Sequence, residues 1–102
     1  MDKHALEKDL EAKANRYAEK FGWWQRKFKS PGRRSAPDRI YARNGRVFFV
    51  EYKRYGKSPT ELQAREHKKM RQAGLTVYVC DRWSEALAIF EYENRLADAE
   101  AL

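Results

Sequence analysis

A chain of 102 residues is long enough for one modest hydrophobic core, and short enough that self-association would add stability. With 42% hydrophobic and 14% aromatic residues it is too apolar for a disordered chain, and a net charge of +7 points to an acidic partner, nucleic acid ahead of an anionic membrane surface. The basic excess is concentrated. From Arg26 to Lys57 there are eleven Lys/Arg and only two acids, Asp38 and Glu51, whereas the rest of the chain holds eleven Lys/Arg and thirteen acids.

No apolar run approaches the roughly 20 residues of a membrane span. The N-terminus, Met1 to His4, leads into a charged amphipathic segment unlike a signal peptide. A single-domain protein over residues 1–102 is expected, soluble and intracellular (cytoplasmic), with no membrane partner. The lone Cys80 cannot pair internally and reads as a small core hydrophobe.

In chain order, Leu6, Leu10, Ala14, Tyr17, Ala18 and Phe21 recur at helical steps, and Gly22 follows as a cap, which predicts helix one. Glu7 lies near the edge of that apolar stripe and could point into a site at the helix–sheet junction; read blandly, it is an exposed helix glutamate. Trp23 to Lys29 predicts a first strand at a sheet edge, and Lys29 to Ser35 a loop. Arg33 and Arg34 of that loop are candidate phosphate contacts. Trp23, Trp24 and Trp83 read as core, or as an interface for an acidic protein.

Arg39 to Arg43 and Arg46 to Lys53 flank Asn44-Gly45, a two-residue hairpin signal because both residues tolerate positive φ. That register sets Arg39 against Val50 and Asp38 against Glu51. Alternation puts Val47, Phe49, Glu51 and Lys53 on one face of strand three, and Phe48, Val50 and Tyr52 on the other. A carboxylate and an ammonium therefore continue an apolar face. Buried charge is costly unless it is paired or metal-bound, so Asp38 and Glu51, isolated among arginines, read as hard-cation ligands placed where a phosphate backbone is held.

Arg54 and Lys57 in the following loop are further candidate phosphate contacts. Ser58 as cap, Pro59 at the first helical position and Glu61 closing a capping box predict helix two to about Ala73, with Leu62, Glu66 and Met70 in one line. Gln63 falls in its first turn, close to the site. Leu75 to Cys80 predicts a buried fourth strand. Ser84 then caps a last helix to about Leu96, whose Leu87, Ile89, Phe90 and Leu96 would pack on the sheet or on a second subunit. His4 and His67 lack ligand-spaced companions and read as surface residues.

The order helix, three strands, helix, strand, together with Pro37-Asp38 before one strand and Glu51-Tyr52-Lys53 ending the next, resembles the PD-(D/E)XK nuclease fold, an α/β architecture on a mixed central sheet. Within it the chain is similar to stand-alone VRR-NUC domains over roughly Leu6 to Cys80, where Glu7 with Leu10 and Gly22, and Gln63 after the Ser/Thr-rich helix start, complete the pattern. Glu11, one turn after Glu7, is the other candidate for the helix-one acid. The resemblance implies Mg²⁺- or Mn²⁺-dependent phosphodiester hydrolysis and a homodimer that resolves four-way (Holliday) junctions in DNA repair or recombination. It implies Asp38, Glu51 and the Tyr52 carbonyl as metal ligands, Glu7 acting through water, and catalytic roles for Lys53 and Gln63. A flap or nicking enzyme of the same fold stays open, as does a non-catalytic nucleic-acid-binding module in which Glu51 and Lys53 are an ordinary charge pair.

Overall fold

The hairpin at the centre of the molecule is set by two turn residues, Asn44 at φ +49° and Gly45 at φ +85°. Positive φ at both positions matches the right-handed twist of the flanking strands. In the computed structural model, which describes residues 6–29 and 35–100, the turn joins β2 (Arg39–Arg43) to β3 (Arg46–Tyr52) in the expected register, with Arg43 opposite Arg46 and Arg39 opposite Val50. Arg33 and Arg34 lie outside the described residues.

Around the hairpin the order is α1 (Glu7–Lys20), β1 (Trp24–Lys27), the hairpin, α2 (Glu61–Gln72), β4 (Thr76–Cys80) and α3 (Trp83–Glu100). The sheet runs β1-β2-β3-β4, antiparallel except for the parallel β3–β4 pair, which α2 connects. This is the expected mixed α/β sheet with an added C-terminal helix.

Alternation along β3 divides the core. Phe48, Val50 and Tyr52 face a large cluster with Leu10, Ala14 and Ala18 of α1 and with Ala86, Phe90 and Ala97 of α3. The alanines let both helices approach the sheet closely. Phe90 fills the space between, its ring 5.1 Å from Tyr41 and 5.6 Å from Phe48. On the other face Phe49 meets Val77 and Met70, with Ile40 and Phe28 packed alongside. Val47, nearest the turn, lies outside that cluster and is 41% exposed.

Several elements differ from expectation. β1 is shorter than Trp23 to Lys29, because its flanking aromatics leave the strand for the core: Trp23 is buried in the large cluster and Phe28 meets Phe49 edge to face. Trp83 is half-buried at the edge of the large cluster, while Trp24 stays exposed. β4 is an edge strand and only half-buried, since it pairs with β3 alone. The cap of α2 is Thr60, not Ser58. Thr60 Oγ1 accepts from the Gln63 N–H at 3.1 Å and Gln63 Oε1 accepts from the Thr60 N–H at 2.8 Å, a reciprocal box that leaves Pro59 outside the helix. The inward face of α2 runs through His67 and Met70, and Leu62 is 67% exposed. Ser84 lies inside α3, which begins at Trp83.

Glu93 on α3 is fully buried, which the sequence pattern did not suggest. Its Oε1 accepts from Arg46 Nε at 2.9 Å, and its Oε2 accepts from Arg46 Nη2 at 3.0 Å and from the Tyr78 hydroxyl at 2.6 Å. Among the described residues no helix is long and apolar enough to cross a membrane.

Candidate active site

Asp38 stands just before β2, where its main chain is tied on both sides. Its N–H donates to the Val50 carbonyl at 3.0 Å and its carbonyl accepts from the Phe28 N–H at 2.8 Å. Its Oδ2 accepts from the Tyr52 N–H at 2.8 Å, which turns the carboxylate toward the end of β3. There Glu51 faces α2, 2% exposed. Two carboxyl groups thirteen positions apart in sequence thus meet through one hairpin register.

Burial raises the pKa of Asp38, and the Tyr52 N–H and the Glu51 carboxyl pull it back only in part. Glu51 is raised further, first by burial and then by the charge of Asp38, with Lys53 pulling the other way. Without a cation the pair resists carrying two negative charges. The sign of the pH effect follows. A native pKa above the unfolded value means that the native state holds more protons, so this contribution to stability is present at low pH and is lost as the pH rises. Glu51→Gln removes the penalty. In EDTA its melting temperature should gain on wild type between about pH 5 and about pH 8, by at least the ~4–8 °C that ~1 kcal/mol gives in a domain of this size. Parallel melting curves in calorimetry would contradict this.

The other expected residues are placed as follows. Lys53 follows β3, its N–H donating to the Cys80 carbonyl at 2.9 Å, and its charge is felt at Glu51. Gln63 Nε2 stands 3.4 Å from Glu51 Oε2, while its carbonyl closes the α2 cap. Glu7 is exposed at the start of α1 and adds to the negative potential at Glu51. Glu11 is already engaged, bonded to Arg39 and 3.7 Å from Lys27, whereas Glu7 makes no ion pair among the described residues. Arg54 and Lys57 are exposed on the loop after β3, which is anchored where the Gly56 N–H donates to Asp81 Oδ2 at 2.8 Å.

His67 was expected at the surface and is instead 1% exposed, with Nε2 3.4 Å from Glu51 Oε1. Sequence reasoning missed it because a lone His without ligand-spaced companions reads as surface and the inward line of α2 was drawn through Leu62, Glu66 and Met70; the structure turns Gln63, His67 and Met70 toward the sheet instead. Burial, with Arg71 and Lys53 nearby, lowers the pKa of the imidazole.

Among the described residues no group of three or more His, Cys, Asp or Glu is arranged to hold a metal. The donors present are the two carboxylates, with the Tyr52 carbonyl between Glu51 and Lys53 in the chain. This all-oxygen set suits a hard cation that keeps several waters. Glu51 Oε1 is moreover buried without a hydrogen-bond partner, an acceptor that a cation would satisfy. The residues present fit Mg²⁺ or Mn²⁺.

No protein-family model matches the sequence. Over 63 residues the chain is 48% identical to the protein named "Putative nuclease p44" of Acyrthosiphon pisum secondary endosymbiont phage 1, an alignment spanning 61% of this chain and 68% of that protein. In three dimensions it is similar to a solved VRR_NUC domain, with a TM-score of 0.79 and 29% identity over 85% of this chain and 97% of the other. A helix, three strands, helix, strand order carrying an acid before β2 and Glu-x-Lys at the end of β3, together with these two likenesses, makes the chain a member of the VRR-NUC nuclease family.

Proposed function

We propose that this protein is a divalent-metal-dependent endonuclease that hydrolyses DNA phosphodiester bonds, acting as one domain over residues 1–102 and as a homodimer on four-way junctions. The observation that carries the reading is the pairing of half-buried Asp38 with buried Glu51 beside Lys53, two acids that resist sharing their charge in a stretch otherwise rich in Lys and Arg.

Asp38, Glu51 and the Tyr52 carbonyl would hold Mg²⁺ or Mn²⁺. When bound, the cation supplies Lewis acidity, offsetting charge on the phosphoryl oxygens and acidifying water. Lys53 orients the attacking water and offsets negative charge as the P–O bond breaks. Gln63 steadies Glu51 through Oε2. Glu7 acts through water, and Arg54 and Lys57, with Arg33 and Arg34, hold backbone phosphates, a contact type that carries no base sequence.

Junction specificity rests on two supports. The sequence contains no zinc finger or base-reading helix, which favours recognition of shape and backbone. A two-fold assembly would present two sites to symmetry-related strands, and such dimers are the commonest small oligomers. Light scattering should return twice the chain mass at micromolar concentration; a monomer alone would refute the dimer. The deciding experiment is cleavage of labelled four-way junction, flap, linear duplex and single-stranded DNA with Mn²⁺ or Mg²⁺. Paired symmetric nicks confined to the junction support the resolvase. Equal cutting of all substrates leaves a nuclease without junction preference, and preferential cutting of flaps or nicking of duplex makes it a flap or nicking enzyme. Salt-sensitive binding without any cutting makes it a binding module.

A further inference from the structure

Both oxygens of Glu51 are approached from α2. Gln63 Nε2 stands 3.4 Å from Oε2, and His67 Nε2 stands 3.4 Å from Oε1, one helical turn further along the same face. The two contacts differ in kind. Gln63 is oriented by its part in the Thr60 cap. His67 is wholly buried, and its Nε2 and Glu51 Oε1 are both sequestered from solvent with no hydrogen-bond partner. Buried polar groups in native proteins are satisfied, so two orphans facing one another mark an interaction completed under other conditions.

Hydrogen-bonding capacity decides which condition. A neutral imidazole carries a single N–H, and the two unpartnered atoms 3.4 Å apart leave Nε2 as the position from which it can meet Oε1. An ionised carboxylate accepts only, so a neutral imidazole serves it solely as the Nε2–H tautomer. The gap need close by only about 0.5 Å to reach an ordinary N–H···O separation.

We propose that His67 is a positioning residue for Glu51: its Nε2–H donates to Oε1 when the carboxylate is ionised around a divalent cation, and so fixes the rotation of that ligand. This rests on the metal-dependent nuclease reading. Hydrogen bonds that orient a ligand group from outside typically carry about 10–100-fold in metal affinity.

The test is Mn²⁺ binding, followed by electron paramagnetic resonance of the free ion, for wild type, His67→Leu and His67→Gln. The leucine variant should bind about 10–100-fold more weakly, while glutamine, whose amide can donate from a similar position, should stay within about threefold of wild type. Leucine binding as tightly as wild type, or glutamine as weakly as leucine, overturns the proposal. If the variants do not fold, ¹⁵N-histidine NMR of wild type with Mg²⁺ decides: the Nε2–H tautomer at His67 supports it and the Nδ1–H tautomer overturns it. Absence of Mn²⁺ binding by wild type would fail the nuclease reading itself and His67's role with it; unaffected variants beside a binding, cutting wild type fail His67 alone.

Discussion

Asp38→Asn and Lys53→Met should each lose at least about 10²–10³ of the DNA-cleavage rate while remaining folded. The amide is chosen because Oδ2 of Asp38 accepts from the Tyr52 N–H, a part-buried donor that alanine would leave unpaired. Asparagine can keep that bond and removes only the charge. Lys53 is held by its main-chain bond to Cys80, so exchanging its side chain leaves the end of β3 in place. DNA affinity separates the two roles. Removing a negative charge from a basic surface should leave metal-free binding equal or tighter in Asp38→Asn, whereas Lys53→Met should weaken it and flatten its salt dependence. Filter binding and single-turnover cleavage on the same samples provide the check. Wild-type cutting by Asp38→Asn would remove Asp38 from the site.

Arg46→Met should be the more damaging of two substitutions in one ion pair, at about 3–5 kcal/mol. The asymmetry comes from burial. The Arg46 side chain is 29% exposed and that of Glu93 is 0%. Taking away the arginine strands a carboxylate beneath α3 with only the Tyr78 hydroxyl. Taking away the acid, as in Glu93→Leu, lets the guanidinium turn to water and should cost about 1–3 kcal/mol, mostly from the unpaired hydroxyl. The double variant should recover most of the loss, because the two terms describe one interaction. Urea denaturation measures all three. An Arg46→Met cost below about 1 kcal/mol would show that the pair behaves like a surface contact.

What was legible in the sequence was mostly local. Asn44-Gly45 specified the turn type and hence the register, and the register alone brought Asp38 and Glu51 together. The period-two pattern of Phe48, Phe49 and Val50 divided the two sheet faces correctly. Errors arose where two local solutions compete and tertiary contacts choose. Ser58 with Glu61 and Thr60 with Gln63 are both plausible caps, and Met70 belongs equally to a face shared with Leu62 and Glu66 and to one shared with Gln63 and His67, of which packing on the sheet selects the second. The Glu93 cluster was illegible for a different reason: its partners Arg46 and Tyr78 sit on β3 and β4, and no spacing in the sequence relates them to Glu93 until the three elements pack.

Asp38 is the residue at which the paths of three segments cross. Its main chain and side chain join the end of β1, through Phe28, to two positions on β3 that flank Glu51, Val50 and Tyr52. Fraying at the β1 edge therefore does not stay at the edge, because it releases the same residue that secures the acid pair. In terms of hydrogen exchange, the amide protons of Phe28, Asp38 and Tyr52 share one gate to solvent, and the rigidity of the site is set by the weakest of its three closures.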